Sequence, residues 1–203
     1  ASASMLEKTI HVAGVHVRYK VVLPANYDST RAYPAVLVMG GGPQTMESVD
    51  RALERDFQHE AERRGYIVVA PAASNDERFF KKGGRIFPEF LNEVLRQYRI
   101  VDRKFHAAGW SNGGISSLHV TAAHPEYFVS VTAFPGYLWR PTDEKLLPLS
   151  GICVFFYIGQ YDQFPWHGEM RREAEFLRAH GTRATYTVEN GQPHRIETLS
   201  GPN

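Results

Sequence analysis

Ala107-Ala108-Gly109-Trp110-Ser111-Asn112-Gly113-Gly114 reads as the end of a strand, a sharp turn and the start of a helix, with a serine at the turn. An apolar run leads into it, a glycine stands two positions to each side of Ser111, and helix-compatible residues follow from Ile115. The geometry dictates that composition. A serine held at a strand-to-helix turn needs a strained backbone, and a side chain at position 109 or 113 would collide with the neighbouring strand and helix. A glycine-rich turn whose serine merely caps the next helix carries the same letters, so the order of elements around it has to separate the two.

Working outward, Asp102-Arg103 turns into a strand over 104–108, and the helix after Ser111 carries Ile115, Leu118, His119 and Ala122 and stops before Pro125. Upstream, two β-branched-rich runs over 9–12 and 15–23, separated by Gly14, predict an antiparallel pair at a sheet edge. The continuously apolar 35–39 predicts a strand buried on both faces, running into Gly40-Gly41-Gly42-Pro43. Thr45 can cap a helix with Met46, Val49, Leu53, Phe57 and Ala61 at helical spacing, ended by Gly65. A strand over 66–70, a long loop over 71–85 and a helix opened by Pro88 come next. Beyond the serine, 129–134 and 152–158 read as strands joined by a loop over 135–150. A helix over 169–180 stopped by Gly181, a strand over 184–188 and a short terminal helix over 196–199 complete the chain. Alternating strands and helices predict an α/β protein: a mostly parallel central sheet with helices on both faces, and no large lid. Functional groups in such sheets collect at the carboxyl ends of the strands, where Ser111 falls.

The 203 residues are expected to form a single domain, 1–203, with no repeat or linker-like break. The sequence starts Ala1-Ser2-Ala3-Ser4, so a leader removed or a domain cut from a longer protein is expected. Twenty-three Lys and Arg against 22 Asp and Glu leave a net charge of +1, which offers no electrostatic reason to expect nucleic acid. No apolar run approaches the length of a spanning helix, so a soluble chain without membrane insertion is expected, with secretion left open. Cys153 is the only cysteine, which excludes an internal disulfide and a cysteine-based metal cluster.

A serine hydroxyl is a weak nucleophile near neutrality and needs a base, with a third group to orient that base. In this architecture the partners follow in the order serine, acid, histidine. Asp162, in Gly159-Gln160-Tyr161-Asp162 just past a strand, suits the acid better than Asp143 or Glu144. His194, in Glu189-Asn190-Gly191-Gln192-Pro193-His194 after the last strand, suits the base. Among the other histidines only His167, five residues past Asp162, competes. Donors for a developing oxyanion are expected from the amide of Asn112 at the helix start and from Gly41 or Gly42. Trp110, Trp139, Phe164 and Trp166, with Tyr137, sit on loops predicted to face one cleft and suggest an apolar acyl or aryl pocket.

With these residues in view, the chain resembles α/β-hydrolase-fold serine esterases, and among them the polyhydroxybutyrate depolymerase, feruloyl esterase and esterase D-like group near the dienelactone hydrolases. The similarity is carried by Tyr33-Pro34, Val101-Asp102-Arg103, Gly109-Trp110-Ser111-Asn112-Gly113-Gly114, Ile158-Gly159-Gln160-Tyr161-Asp162-Gln163 and Gln192-Pro193-His194. It differs where relatives commonly place a histidine before the oxyanion glycine, since Met39-Gly40 stands there. The resemblance implies hydrolysis of small soluble short-chain acyl or aryl esters through an acyl-enzyme, with no metal and no cofactor. Two other outcomes stay open: a hydrolase-fold module that binds without catalysis, and a peptidase or thioesterase using the same three residues. Nucleotide binding is disfavoured, because neither G-x-G-x-x-G nor G-x-x-x-x-G-K-[ST] occurs.

Overall fold

The computed structural model describes residues 4–200; Ala1 to Ala3, where the expectation of a removed leader falls, and Gly201 to Asn203 lie outside the described residues. Eight strands form one sheet in the order β1-β2-β4-β3-β5-β6-β7-β8. β1 (Ser4–Val12) and β2 (Val15–Leu23) are antiparallel at one edge, and β2 is antiparallel to β4 (Ile67–Pro71). β3 (Ala35–Met39), β4, β5 (Phe105–Gly109), β6 (Phe128–Ala133), β7 (Cys153–Gly159) and β8 (Ala184–Glu189) run parallel. Their carboxyl ends therefore share one rim.

The period-two alternation of each strand sorts its side chains between two layers. Leu37, Met39, Val69, Ala107, Val131 and Phe156 face α3 (Glu89–Gln97), α4 (Asn112–Ala123) and α6 (His167–Ala179) in the larger core. Val22, Val38, Val68 and Ala70 face the helix that begins with α1 (Met46–Ala52). That helix is capped as expected: the Thr45 hydroxyl accepts from the Ser48 N–H, and Gly65 ends it in the left-handed conformation. It is not one regular helix, however. Leu53–Phe57 is a π turn, in which the Gln58 N–H reaches back to the Leu53 carbonyl, before α2 (Gln58–Arg64) resumes α geometry.

The loop expected over 135–150 contains α5 (Asp143–Leu146), capped by Thr142, and a 3-10 turn (Leu147–Gly151). The loop expected over 71–85 likewise closes with a 3-10 turn (Lys82–Ile86). The terminal helix reduces to the 3-10 turn Glu197–Leu199. Helices flank both faces, but unevenly. On the face opposite α4, His106, Thr132, Phe155 and Tyr157 are only half-buried, and the segment around Ile196 and Leu199 covers part of them.

One buried acid fixes the loop after β6. Glu173 lies on the inner face of α6 with Met170, Ala174 and Leu177, and its carboxyl accepts the Leu138 N–H at 2.8 Å. Burial pushes the Glu173 carboxyl up to about 9, and Glu169 beside it adds to the rise. Glu169 itself is held below its ordinary value by Arg172, against its own burial. Glu173 thus stays protonated in the folded chain where the unfolded chain, at its ordinary value of 4.5, has lost the proton. A raised folded value means stability that is full below about pH 4.5 and is lost as pH rises towards 9. Glu169, shifted the other way, acts only at lower pH. Glu173→Gln keeps the acceptor for Leu138 and has no proton to lose, so its urea midpoints at pH 5, 7 and 9 should fall less steeply than those of the parent. Parallel slopes for the two proteins would remove Glu173 as the cause.

Candidate active site

Ser111 has φ 58° and ψ −120°, a conformation side-chain-bearing residues seldom adopt, and it stands between β5 and α4. Crowding holds it there. A Cβ on Gly113 would lie 2.0 Å from the Met39 carbonyl oxygen, and one on Gly109 would lie 2.2 Å from the Gly113 carbonyl. The Ser111 N–H donates to the Pro135 oxygen at 2.9 Å, and the Ser111 carbonyl accepts the Ile115 N–H at 3.0 Å, which starts the helix.

The structure brings Asp162 and His194 to this serine. His194 Nε2 lies 2.8 Å from Ser111 Oγ, and His194 Nδ1 lies 2.7 Å from Asp162 Oδ2. A carboxylate only accepts, so the Nδ1–H donates to Asp162 and leaves Nε2 to accept the serine proton. The Asp162 side chain is fully buried and that of His194 is 10% exposed. The remaining Asp162 oxygen accepts the Phe164 N–H at 2.8 Å, which fixes the carboxylate plane. The loops carrying the two residues are sewn together. Tyr161 N–H donates to the Gln192 oxygen at 2.8 Å, Gln160 N–H to the Glu189 oxygen at 2.9 Å, and Gly191 N–H to the Gln160 side chain at 2.8 Å. Such a chain of bonds can draw a proton from the hydroxyl as it attacks an electrophile.

The rival residues have other partners. His167, at the start of α6, places Nε2 3.0 Å from the Gly159 oxygen and braces the strand end before Asp162. Asp143 is exposed and pairs with Arg172 at 3.2 Å, and Glu144 is exposed on α5.

Gly41 and Gly42 follow β3 and face the start of α4. Among the described residues neither donates its N–H in a loop hydrogen bond. Asn112 Nδ2 donates to the Gly42 oxygen at 2.7 Å and so ties this loop to the first turn of α4. Gln44, which gave no sequence signal, braces the loop from below. It is fully buried, donates through Nε2 to Ser116 Oγ at 2.9 Å and accepts the Phe79 N–H at 2.9 Å.

Three of the four expected aromatic residues surround the imidazole. Ring centroids of Phe164, Trp166 and Trp110 lie 4.7, 5.3 and 5.2 Å from that of His194. Phe164 and Trp166 stack on each other, Tyr137 meets Trp166 edge-on, and Trp110 Nε1–H donates to the His194 carbonyl at 3.0 Å. Trp139 does not join this cluster. It packs on Phe80 at 4.9 Å, with Lys81 and Arg140 over its ring. Phe80 lies in the polar loop after β4, where no periodicity marked it. No group of three or more metal-ligating side chains occurs among the described residues.

Known proteins share this frame. The chain is 30% identical to dipeptidyl-peptidase 5 of Porphyromonas gingivalis over 128 residues, which cover 57% of this chain and 19% of that protein. The dipeptidyl-peptidase 5 of Porphyromonas endodontalis is 28% identical, with 18% of it covered, so this chain spans less than a fifth of the length of these relatives. In three dimensions it is similar to a mutant of the feruloyl esterase module from Clostridium thermocellum complexed with sinapinate. The TM-score is 0.75 at 16% identity, covering 95% of this chain and 82% of that one. A thermophilic carboxylesterase cloned from a metagenomic library gives a TM-score of 0.73 at 15% identity, covering 98% and 83%. The sheet order and flanking helices are thus those of an α/β-hydrolase. Residues 11–194, a span holding Ser111, Asp162 and His194, match the sequence model of the Esterase family, and the chain belongs to that family.

Proposed function

We propose that the chain hydrolyses small soluble carboxylic esters, with short acyl or aryl groups, through a covalent acyl-serine. The observation that carries this reading is the unbroken pair of hydrogen bonds from Ser111 Oγ through His194 to the buried Asp162. Ser111 Oγ attacks the ester carbonyl carbon while His194 Nε2 takes its proton, and Asp162 stabilises the imidazolium that results. The carbonyl oxygen becomes an oxyanion facing the amides of Asn112 and of Gly41 or Gly42, aimed before reaction begins. Collapse of this tetrahedral adduct expels the alcohol, which receives the proton from His194. Water then attacks the acyl-serine with His194 again as base, releasing the acid and restoring the hydroxyl. Every step is a proton transfer or an acyl transfer, and no cofactor enters the scheme. Trp110, Phe164 and Trp166, which surround the His194 ring, form an apolar wall beside the reacting carbon. Flat aryl acyl groups suit such surfaces.

Ser111→Ala should lower kcat by about a million-fold, and Asp162→Asn by about ten-thousand-fold through the wrong imidazole tautomer. Turnover of p-nitrophenyl acetate by highly purified variants measures both. Ester hydrolysis persisting in the Ser111→Ala protein would refute the scheme.

A second reading, amide cleavage, is favoured by the dipeptidyl-peptidase relatives. The same groups serve both reactions, so substrates decide. Methyl ferulate and p-nitrophenyl esters of rising chain length should be turned over, with the shortest preferred, while a dipeptidyl p-nitroanilide should be cleaved far more slowly. A faster dipeptidyl amide would transfer the assignment to the peptidases.

A further inference from the structure

On the α1 side of the serine, the rim of the sheet holds a recess of about 280 Å³. Gly41, Gly42 and Trp110 form one wall of it. The wall across from them is rich in charge. Arg51, Arg55 and Arg195 line the recess against one carboxylate, Asp56. That carboxylate is already engaged, accepting from Arg55 Nε at 3.1 Å and from the Ser200 hydroxyl at 2.8 Å, and it is almost fully buried.

The three guanidinium groups differ in how they are held. Arg55 is fixed: its side chain is 15% exposed and its guanidinium lies 5.6 Å from the centre of the Trp110 ring. It stands in the π turn Leu53–Phe57, an irregularity often found at functional sites, and that turn brings both Arg55 and Asp56 to the recess. Arg51 pairs with Glu47 at 2.7 Å and Arg195 with Glu197 at 3.7 Å, and all four side chains are exposed. Exposed pairs of this kind contribute about 0 to 1 kcal/mol, so an arriving anion can recruit both arginines at small cost. Guanidinium forks match a carboxylate in shape as well as in charge. Ala52 and the face of Trp110 supply apolar surface between the glycine loop and the charges.

We infer that this recess is a carboxylate subsite, which receives a negatively charged arm of the ester. The inference rests on the esterase reading of Ser111 and deepens it. With the carbonyl oxygen at the Asn112 amide and the Gly41-Gly42 loop, an arm leaving on the α1 side runs along Trp110 towards Arg55, Arg51 and Arg195. The volume of about 280 Å³ falls just below the roughly 300 to 1,000 Å³ usual for ligand pockets, which suits a short acid-terminated chain and not a second ring system. Monoesters of short dicarboxylic acids fit this description. The uncharged part of the substrate then lies on the opposite side, against Phe164 and Trp166.

The test compares the parent protein with Arg51→Gln/Arg195→Gln and with Arg55→Gln, using monoethyl glutarate, its neutral counterpart diethyl glutarate, and free glutarate. Isothermal titration should show saturable glutarate binding that weakens about tenfold or more when the arginines are changed, as loss of charge-assisted hydrogen bonds requires. kcat/KM for monoethyl glutarate should fall by a similar factor and that for diethyl glutarate by less than twofold, with thermal melting showing that each variant folds. Absence of saturable glutarate binding to the parent, or equal losses on both esters, would overturn the subsite. Glutarate binding by the parent and its loss in the variants would support the subsite even if neither ester were hydrolysed, and that failure would count against the esterase reading alone.

Discussion

The site depends on one close approach, that of the Met39 carbonyl at the end of β3 to the backbone of Gly113 at the start of α4. Because a Cβ at position 113 would sit 2.0 Å from that oxygen, the end of β3 and the first turn of α4 meet with no side chain between them. The chain leaving Met39 is thereby delivered, as Gly41 and Gly42, to the same place as the first amides of the helix. The backbone of Ser111 is held in a region that costs about 1 to 3 kcal/mol for such a residue. That cost is met by its surroundings: the Pro135 oxygen takes its N–H, and buried Gln44 clamps the glycine loop to Ser116. Glycines at 109 and 113 are therefore consequences of packing, and the placement of the Ser111 hydroxyl against His194 is what the packing produces.

The imidazole is governed by a second contact of the same kind at the other end of the rim. A Cβ on Gly159 would lie 2.1 Å from the Pro193 oxygen, so the strand leading to the acid and the loop carrying the histidine touch backbone to backbone. The pairing of β7 with β8, which ends at Gly159 opposite Glu189, continues into the bonds that join Gln160 to Glu189 and Tyr161 to Gln192. Sheet register is thus transmitted to the Asp162-to-His194 distance. His167, bonded to the Gly159 oxygen, supports this end from α6, which accounts for a histidine near the acid that does not reach the serine.

Much of this was legible in the sequence because it is carried by residue types with steep local preferences. Glycine at a crowded turn, Thr45 and Gly65 at helix ends, and alternating apolar strands each announce themselves one element at a time. What was not legible depends on contacts between distant elements. Gln44 and Phe80 lie in loops without periodicity, and their importance comes from Ser116 and Trp139, far along the chain. The π turn needs the packing around Arg55 and Asp56 to be visible. Glu173 did leave a trace, as an acid at the i+3 position of an apolar stripe running through Met170, Ala174 and Leu177, although its partner, the Leu138 amide, did not. The uneven cover of the sheet was also readable in part. His106, Ser130, Thr132 and Tyr157 alternate with Ala107, Val131, Ala133 and Phe156, so one face of β5 to β7 is markedly more polar than the other. Parallel strands sealed on both faces are instead apolar throughout.

The two sides of Ser111 are chemically unlike, and the fold explains why. On the β7 and β8 side, the Asp162 carboxylate is fully buried, and the loop after it sets Phe164 and Trp166 against the ring of His194. A buried carboxylate attracts an imidazolium more strongly than a hydrated one, so this environment suits the proposed proton transfer. On the α1 side, the buried charges, Arg55 and Asp56, already pair with each other. The surface there is built from an open helix face and the chain just past His194, where arginines can remain hydrated until a partner arrives. Between β6 and β7 the helical structure is limited to the four-residue α5 and a 3-10 turn, which leaves little chain from which to build a lid. In the proposed reaction, orientation comes from opposed surfaces of different character, a ring-lined wall and a cationic one, acting across a single serine.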